Sequence, residues 1–202
     1  MGLAVHEYVH AFVALRFGDM SPKLAGRLTL RPRPHVEAFG TLILPGILLL
    51  KVLFGQALFV FGYAKPQPLN QWGFRKQDRQ VILTSLAGPA ANLVLAVLFG
   101  LLFRLVRNTP SSVLFQLVQD LLIVNVTLAV MNLMPIPPLD GARVVATLLP
   151  ARPREVMTNL EQYGALFMLL VFFLITGPLF TFVRAIGNGV CQLAAGADCI
   201  FV

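Results

Sequence analysis

Residues 81–103, VILTSLAGPAANLVLAVLFGLLF, carry no charged side chain. A helix needs about 20 apolar residues to cross the ~30 Å hydrocarbon core of a bilayer. This run meets that length, and it is not alone: further apolar segments occupy 2–17, 39–61, 113–134 and 163–183. The chain is 57% hydrophobic and 12% charged, with a mean hydropathy of +0.77. Soluble domains are roughly 45–50% apolar and 25% charged, so the excess is too large for one buried core. The expectation is an all-α polytopic membrane protein with about five apolar helical segments.

The first two segments are irregular. Residues 2–17 read as a helix stopped by Gly18-Asp19. At 1.5 Å per residue it would be roughly 24 Å long, so it is either partly inserted or begun further upstream. In 20–37 the alternation of Arg27-Leu28-Thr29-Leu30-Arg31 predicts a short strand, and the prolines after it exclude a long helix. A short β-hairpin or re-entrant loop is expected after the first helix. The second segment is interrupted by Pro45-Gly46 and carries Lys51, which either snorkels to the interface or faces a cavity.

The net charge is +7. The basic residues are scattered and lack an aromatic–basic patch, which argues for anionic headgroups of a lipid bilayer as their partner and against nucleic acid. Cys191 and Cys199 are not spaced as a metal pair and lie far from the histidines in sequence. No signal peptide is expected at the start.

The chemistry lies in His6, Glu7 and His10, an H-E-x-x-H pattern within the first apolar segment. On a helix the two histidines fall one turn apart on one face, where they can share a zinc ion, and Glu7 can serve as a base. Ionisable groups inside an apolar segment are costly and mark function. A catalytic zinc needs a third protein ligand. His35 lies in a Pro-rich stretch. Asp140, in NLMPIPPLDG, closes an apolar segment and is followed by Gly141, but an aspartate there can equally be a helix N-cap. The residues alone leave these alternatives open.

The combination of H-E-x-x-H with the later N-x-x-P-x-x-x-x-D-G resembles the site-2 protease family of intramembrane zinc metalloproteases. FGYAKPQPLN is similar to that family's G-x-A-K-P-x-P-x-N loop, SLAGPAANL to its A-G-P-x-x-N segment, and AGRLTLRPRPHVEAFGTLILP to the hairpin after its zinc helix. These motifs run in the family's order over about 1–150. The resemblance implies one Zn2+ per chain, held by His6, His10 and Asp140. It implies Glu7 as general base and then proton donor. Asn92 and Asn132 match family asparagines near the active site, and Asn92 could donate to the developing oxyanion; interhelical hydrogen bonding is the structural alternative for both. His35 matches a family histidine, but Arg31-Pro32 and Glu37-Ala38 replace the Asn-Pro and Asp-Pro that usually flank it, so structure, gating and chemistry all stand as its role.

The implied activity is cleavage of peptide bonds in transmembrane protein substrates. Such substrates must unwind, and strand addition along Leu28 and Leu30, or along Lys65, Pro66 and Pro68, would hold them extended. The resemblance further implies a minimal member without a PDZ insertion. It would form a single domain over 1–202, with the catalytic core at about 1–150 and a last transmembrane helix and tail at 155–202. The expected location is a prokaryotic cell (inner) membrane, crossed several times.

Overall fold

The computed structural model describes residues 2–43, 45–46, 49–50, 77–108 and 112–197. At 165–180, and at Phe39, Gln77 and Gln162, it describes the backbone alone. Among the described residues every regular element is helical.

Helix α1 runs Gly2–Arg16 and stops as the sequence predicts. Gly18 takes φ 103°, open to glycine at little cost, and the Asp19 amide turns back to the Ala14 carbonyl at 3.0 Å. A single turn, α2 (Ser21–Leu24), follows. The predicted strand over 27–31 does not form. Instead the Thr29 amide donates to the Arg27 carbonyl at 2.9 Å, and the Arg31 amide to Thr29 Oγ1 at 3.1 Å. The backbone is thus spent on its own turns, and Pro32 and Pro34 remove the donors a ladder would need. No β-hairpin exists among the described residues. Leu28 is half-buried and Leu30 exposed on a bend rather than on a strand edge. A 3-10 turn, Arg33–His35, and a π-helical turn, Ala38–Ile43, lead into the second apolar segment, most of which, with Lys51, lies outside the described residues.

Helix α3 (Gln77–Val106) is the hub, packing against α1 and against three of the helices that follow it. It extends beyond the apolar run at both ends, with Asp78 in its first turn, where the helix dipole favours a carboxylate. Pro89 sits inside it and removes the donor that would bond the Ser85 carbonyl. Helix α4 (Val113–Asn132) is capped by Ser112, whose Oγ accepts from the Phe115 amide at 3.1 Å. The Pro-rich 133–139 stretch then turns the chain into α5 (Asp140–Leu148). Two further helices, α6 (Ala151–Gln162) and α7 (Gly164–Ala195), complete the described fold. The fifth apolar segment was expected to end near 183, but α7 continues through the tail to Ala195.

The core joins Ala96 of α3, Leu122, Val126 and Val130 of α4, Leu139, and Val183 and Ala195 of α7. Small residues allow close approach: a Cβ on Gly100 would lie 2.7 Å from that of Ala194. On their outer faces α3 and α4 leave Val94, Leu98, Leu105, Leu114 and Leu117 uncovered by protein. Among the described residues these two helices are the ones long and apolar enough to cross a membrane. Helix α6 is polar and is tied down by charge. Arg143 of α5 donates through Nε to Glu161 Oε1 at 2.6 Å and through Nη2 to the same oxygen; Arg154 pairs with Asp78 at 3.1 Å.

Candidate metal centre

The two histidines of α1 fall on the face that meets α3, as a four-residue spacing requires. Both are buried, 2% and 3% exposed, and their Nε2 atoms stand 3.0 Å apart. Asp140 Oδ2 completes a triangle, 3.0 Å from each. Among the described residues these three form the group able to hold a metal ion.

Hydrogen bonds on the far side of each ring decide what faces the centre. His10 Nδ1 donates to the Thr84 carbonyl at 2.6 Å. A carbonyl can only accept, so Nδ1 carries a proton, and the neutral ring then presents its lone pair at Nε2. His6 Nδ1 donates to Asn92 Oδ1 at 2.5 Å, with the same consequence. Two imidazole lone pairs and a carboxylate oxygen therefore converge with no proton between them, an arrangement that a buried site sustains around a cation. Nitrogen and carboxylate donors in a set of three match a catalytic zinc with one open position. Donors on one tetrahedral zinc at ~2.0–2.1 Å stand roughly 3.3 Å from one another, close to the spacing here.

Gly88 shapes the space. A Cβ there would lie 2.7 Å from both His6 Cε1 and His6 Nε2, and closer still to His10 Nε2. Helix α3 can approach the imidazoles because that position carries no side chain.

Asp140 is free to ligate because it is not the cap of its helix. Leu139 occupies the N-cap, in extended conformation and without a side-chain cap bond, and Asp140 is the first helical residue, pointing at the histidines. Helix α5 has nine residues, too short to span a bilayer. As a ligand, Asp140 would act through its ionised carboxylate.

Gly141 fixes where α5 starts. A Cβ there would lie 2.5 Å from the Leu133 carbonyl carbon and the Met134 oxygen, and closer still to the Leu133 oxygen, all backbone atoms that cannot rotate away. Gly141→Ala is expected to cost more than about 2 kcal/mol through overpacking. Thermal unfolding in detergent checks this against Gly189→Ala, where a Cβ would meet nothing within 4 Å.

The other expected site residues divide. Glu7 is buried on α1, next in sequence to His6. Asn92 reaches the centre, but differently from the oxyanion donor expected of it: its Oδ1 supports His6, while its Nδ2 donates to Asn125 Oδ1 at 2.9 Å and faces the Gly2 carbonyl at 3.4 Å. Asn132 ends α4, with its amide donating back to the Leu128 carbonyl at 2.9 Å. His35 is buried apart from the metal group and donates from Nε2 to the Thr29 carbonyl at 2.9 Å. Lys65, Pro66 and Pro68 lie outside the described residues. Sequence reasoning passed over Gly88, the Thr84 carbonyl and Asn125. An amide within LLIVNVTLAV is itself a signal, since polar groups in apolar segments carry a cost; a backbone acceptor such as Thr84 leaves none.

A model of peptidase family M50 matches residues 107–176, which include Asn132 and Asp140. Over 179 residues the chain is 36% identical to YwhC of Bacillus subtilis (strain 168), covering 85% of this chain and 76% of that protein. It is 37% identical to Rip2 of Mycolicibacterium smegmatis, covering 89% and 65%, and 33% identical to Rip2 of Mycobacterium tuberculosis (strain ATCC 25618 / H37Rv), covering 85% and 63%. All three are named provisionally as zinc metalloproteases. The chain spans less than two thirds of the length of the two mycobacterial relatives. No solved structure matches it. With the convergent His6–His10–Asp140 triangle and this degree of identity, the chain belongs to the site-2 protease family, peptidase family M50, and is a zinc metalloprotease.

Proposed function

We propose that this zinc metalloprotease is an intramembrane endopeptidase, cutting peptide bonds within or near the transmembrane helices of other membrane proteins. The observation that carries this reading is the burial of His6, Glu7, His10 and Asp140 among helices, two of which are long and apolar enough to cross a membrane. A soluble peptidase has no need to enclose its ligands in an exterior of uncovered leucine and valine. In this reading the chain is one domain, crosses a prokaryotic cell membrane several times on about five apolar segments, and meets its substrate in the bilayer.

His6, His10 and Asp140 hold the ion. Zinc, when bound there, supplies Lewis acidity to the scissile carbonyl and acidifies water. Glu7 takes the proton from the attacking water and passes it to the leaving amine. Water reaches a buried site only through a polar cavity between helices, where irregular backbone is tolerated in a membrane; the Pro-rich turn at 133–139 is such backbone next to Asp140. The 27–31 segment is bent, so a ready-made strand edge is not available there to hold the substrate. The Lys65–Pro68 stretch stands as the proposed contact for an extended substrate.

The test is cleavage of a tagged single-span helix in detergent. Glu7→Gln is expected to lower turnover at least ~10²-fold, the usual share of a general base, while zinc content stays at about one per chain, as three ligands require. A wild type that binds zinc and cuts no membrane-embedded substrate, yet hydrolyses soluble peptides, would sink the intramembrane reading.

A further inference from the structure

Asn125 lies in the middle of α4, completely buried, and the chemistry above makes no use of it. Its surroundings assign it one. Asn125 Nδ2 donates to the Leu121 carbonyl at 2.7 Å. That carbonyl can only accept, so it settles which end of the amide is nitrogen. Oδ1 is thereby turned away from its own helix toward α3, where it accepts from Asn92 Nδ2 at 2.9 Å. The Gly2 carbonyl, 3.4 Å from the same nitrogen, is a second acceptor that favours this orientation of Asn92. Asn92 Oδ1 is then the atom left for His6, and it accepts from His6 Nδ1 at 2.5 Å. Each bond in the series has its direction fixed by the one before, and the first is fixed by backbone.

If the Asn92 amide turned over, its nitrogen would face His6 Nδ1. The imidazole would have to accept there and carry its proton on Nε2, the atom that faces His10 and Asp140. A proton on that nitrogen blocks metal ligation. We infer that Asn125 is a positioning residue: acting through Asn92, it holds the His6 proton on Nδ1 and leaves Nε2 bare for zinc. This rests on the zinc reading of His6, His10 and Asp140. Simple interhelical adhesion is the competing role, and the two differ in what they predict for pairs of substitutions.

The experiment uses the full chain purified in detergent, with zinc affinity measured by competition against a chromogenic chelator. Asn92→Leu is expected to weaken zinc ~10- to 100-fold, as loss of a partner to a ligating histidine does. Asn125→Leu is expected to weaken it about tenfold, and the double variant no more than Asn92→Leu alone, because both act on one bond series. Additive losses, or a loss below about twofold for Asn125→Leu, would overturn the inference. Asn125→Ser guards against misfolding, since its hydroxyl can bond the Leu121 carbonyl four residues back but is too short for Asn92; it should weaken zinc as leucine does, and affinity like that of wild type would count against the proposal. Nitrogen-15 spectra of metal-free protein read the tautomer directly, with only three histidines to assign. Wild type should show His6 protonated at Nδ1, and Asn125→Leu a mixture with Nε2. A wild type that binds no zinc would instead remove the reading underneath, visible in that sample alone.

Discussion

Gly88→Ala is expected to leave the protein folded and without zinc. The added methyl would lie 2.7 Å from two atoms of the His6 ring and closer still to His10 Nε2. Neither ring can retreat, because each is held from behind, His6 by Asn92 and His10 by the Thr84 carbonyl. Those anchors belong to α3, the same helix that would carry the methyl, so a shift of α3 away from α1 breaks the support as it relieves the clash. Helix α3 itself gains from the change, since alanine is favoured over glycine in a helix by ~1 kcal/mol. Metal analysis should fall from about one zinc per chain, the share of a three-ligand site, to a few hundredths, and cleavage should vanish with it, while far-ultraviolet circular dichroism stays unchanged. Retention of stoichiometric zinc would mean that the imidazoles sit further from α3 than the geometry here allows.

Asp140→Ala is expected to weaken zinc roughly 10²–10³-fold, one ligand's share of the ~10–16 kcal/mol that a four-ligand site supplies. The same change would also remove a helix cap, had Asp140 been one. Asp140→Ser separates the two roles. Serine is a good cap but not a zinc ligand, so it should lose zinc as alanine does. Chelator competition reads the affinity, and a serine variant with the wild-type value would return Asp140 to the capping role that the sequence left open.

The apolar runs at 81–103 and 113–134 became α3 and α4 because length and lack of charge leave a chain little choice but helix. The zinc pair was legible for a similar reason: His6 and His10 lie one helical turn apart, and helix geometry alone puts them on one face. Asp140 was legible as a candidate only. Whether a carboxylate at a helix start caps or ligates depends on which way the preceding residue is folded, and Leu139, not Asp140, took the cap. The alternation in 27–31 misled because a strand is a relation between two segments. Those residues satisfied their hydrogen bonds locally, and nothing in one segment's pattern reveals whether a partner will come. Which end of the Asn92 amide faces His6 was not legible, since the choice between offering oxygen or nitrogen is made by neighbours, Asn125 and Gly2, that are distant in sequence. Gly88 could not be read as a site residue at all, because its contribution is the atom it lacks.

Helix α3 supplies its three supports at four-residue intervals: the Thr84 carbonyl, the open position at Gly88 and the Asn92 amide. The centre is therefore sensitive to length as well as to identity. Adding or deleting a single residue between 84 and 92 would rotate everything beyond it by about 100°, carrying Asn92 off the α1 face while every side chain remained chemically intact. This stretch of α3 behaves as a ruler whose divisions cannot be renumbered.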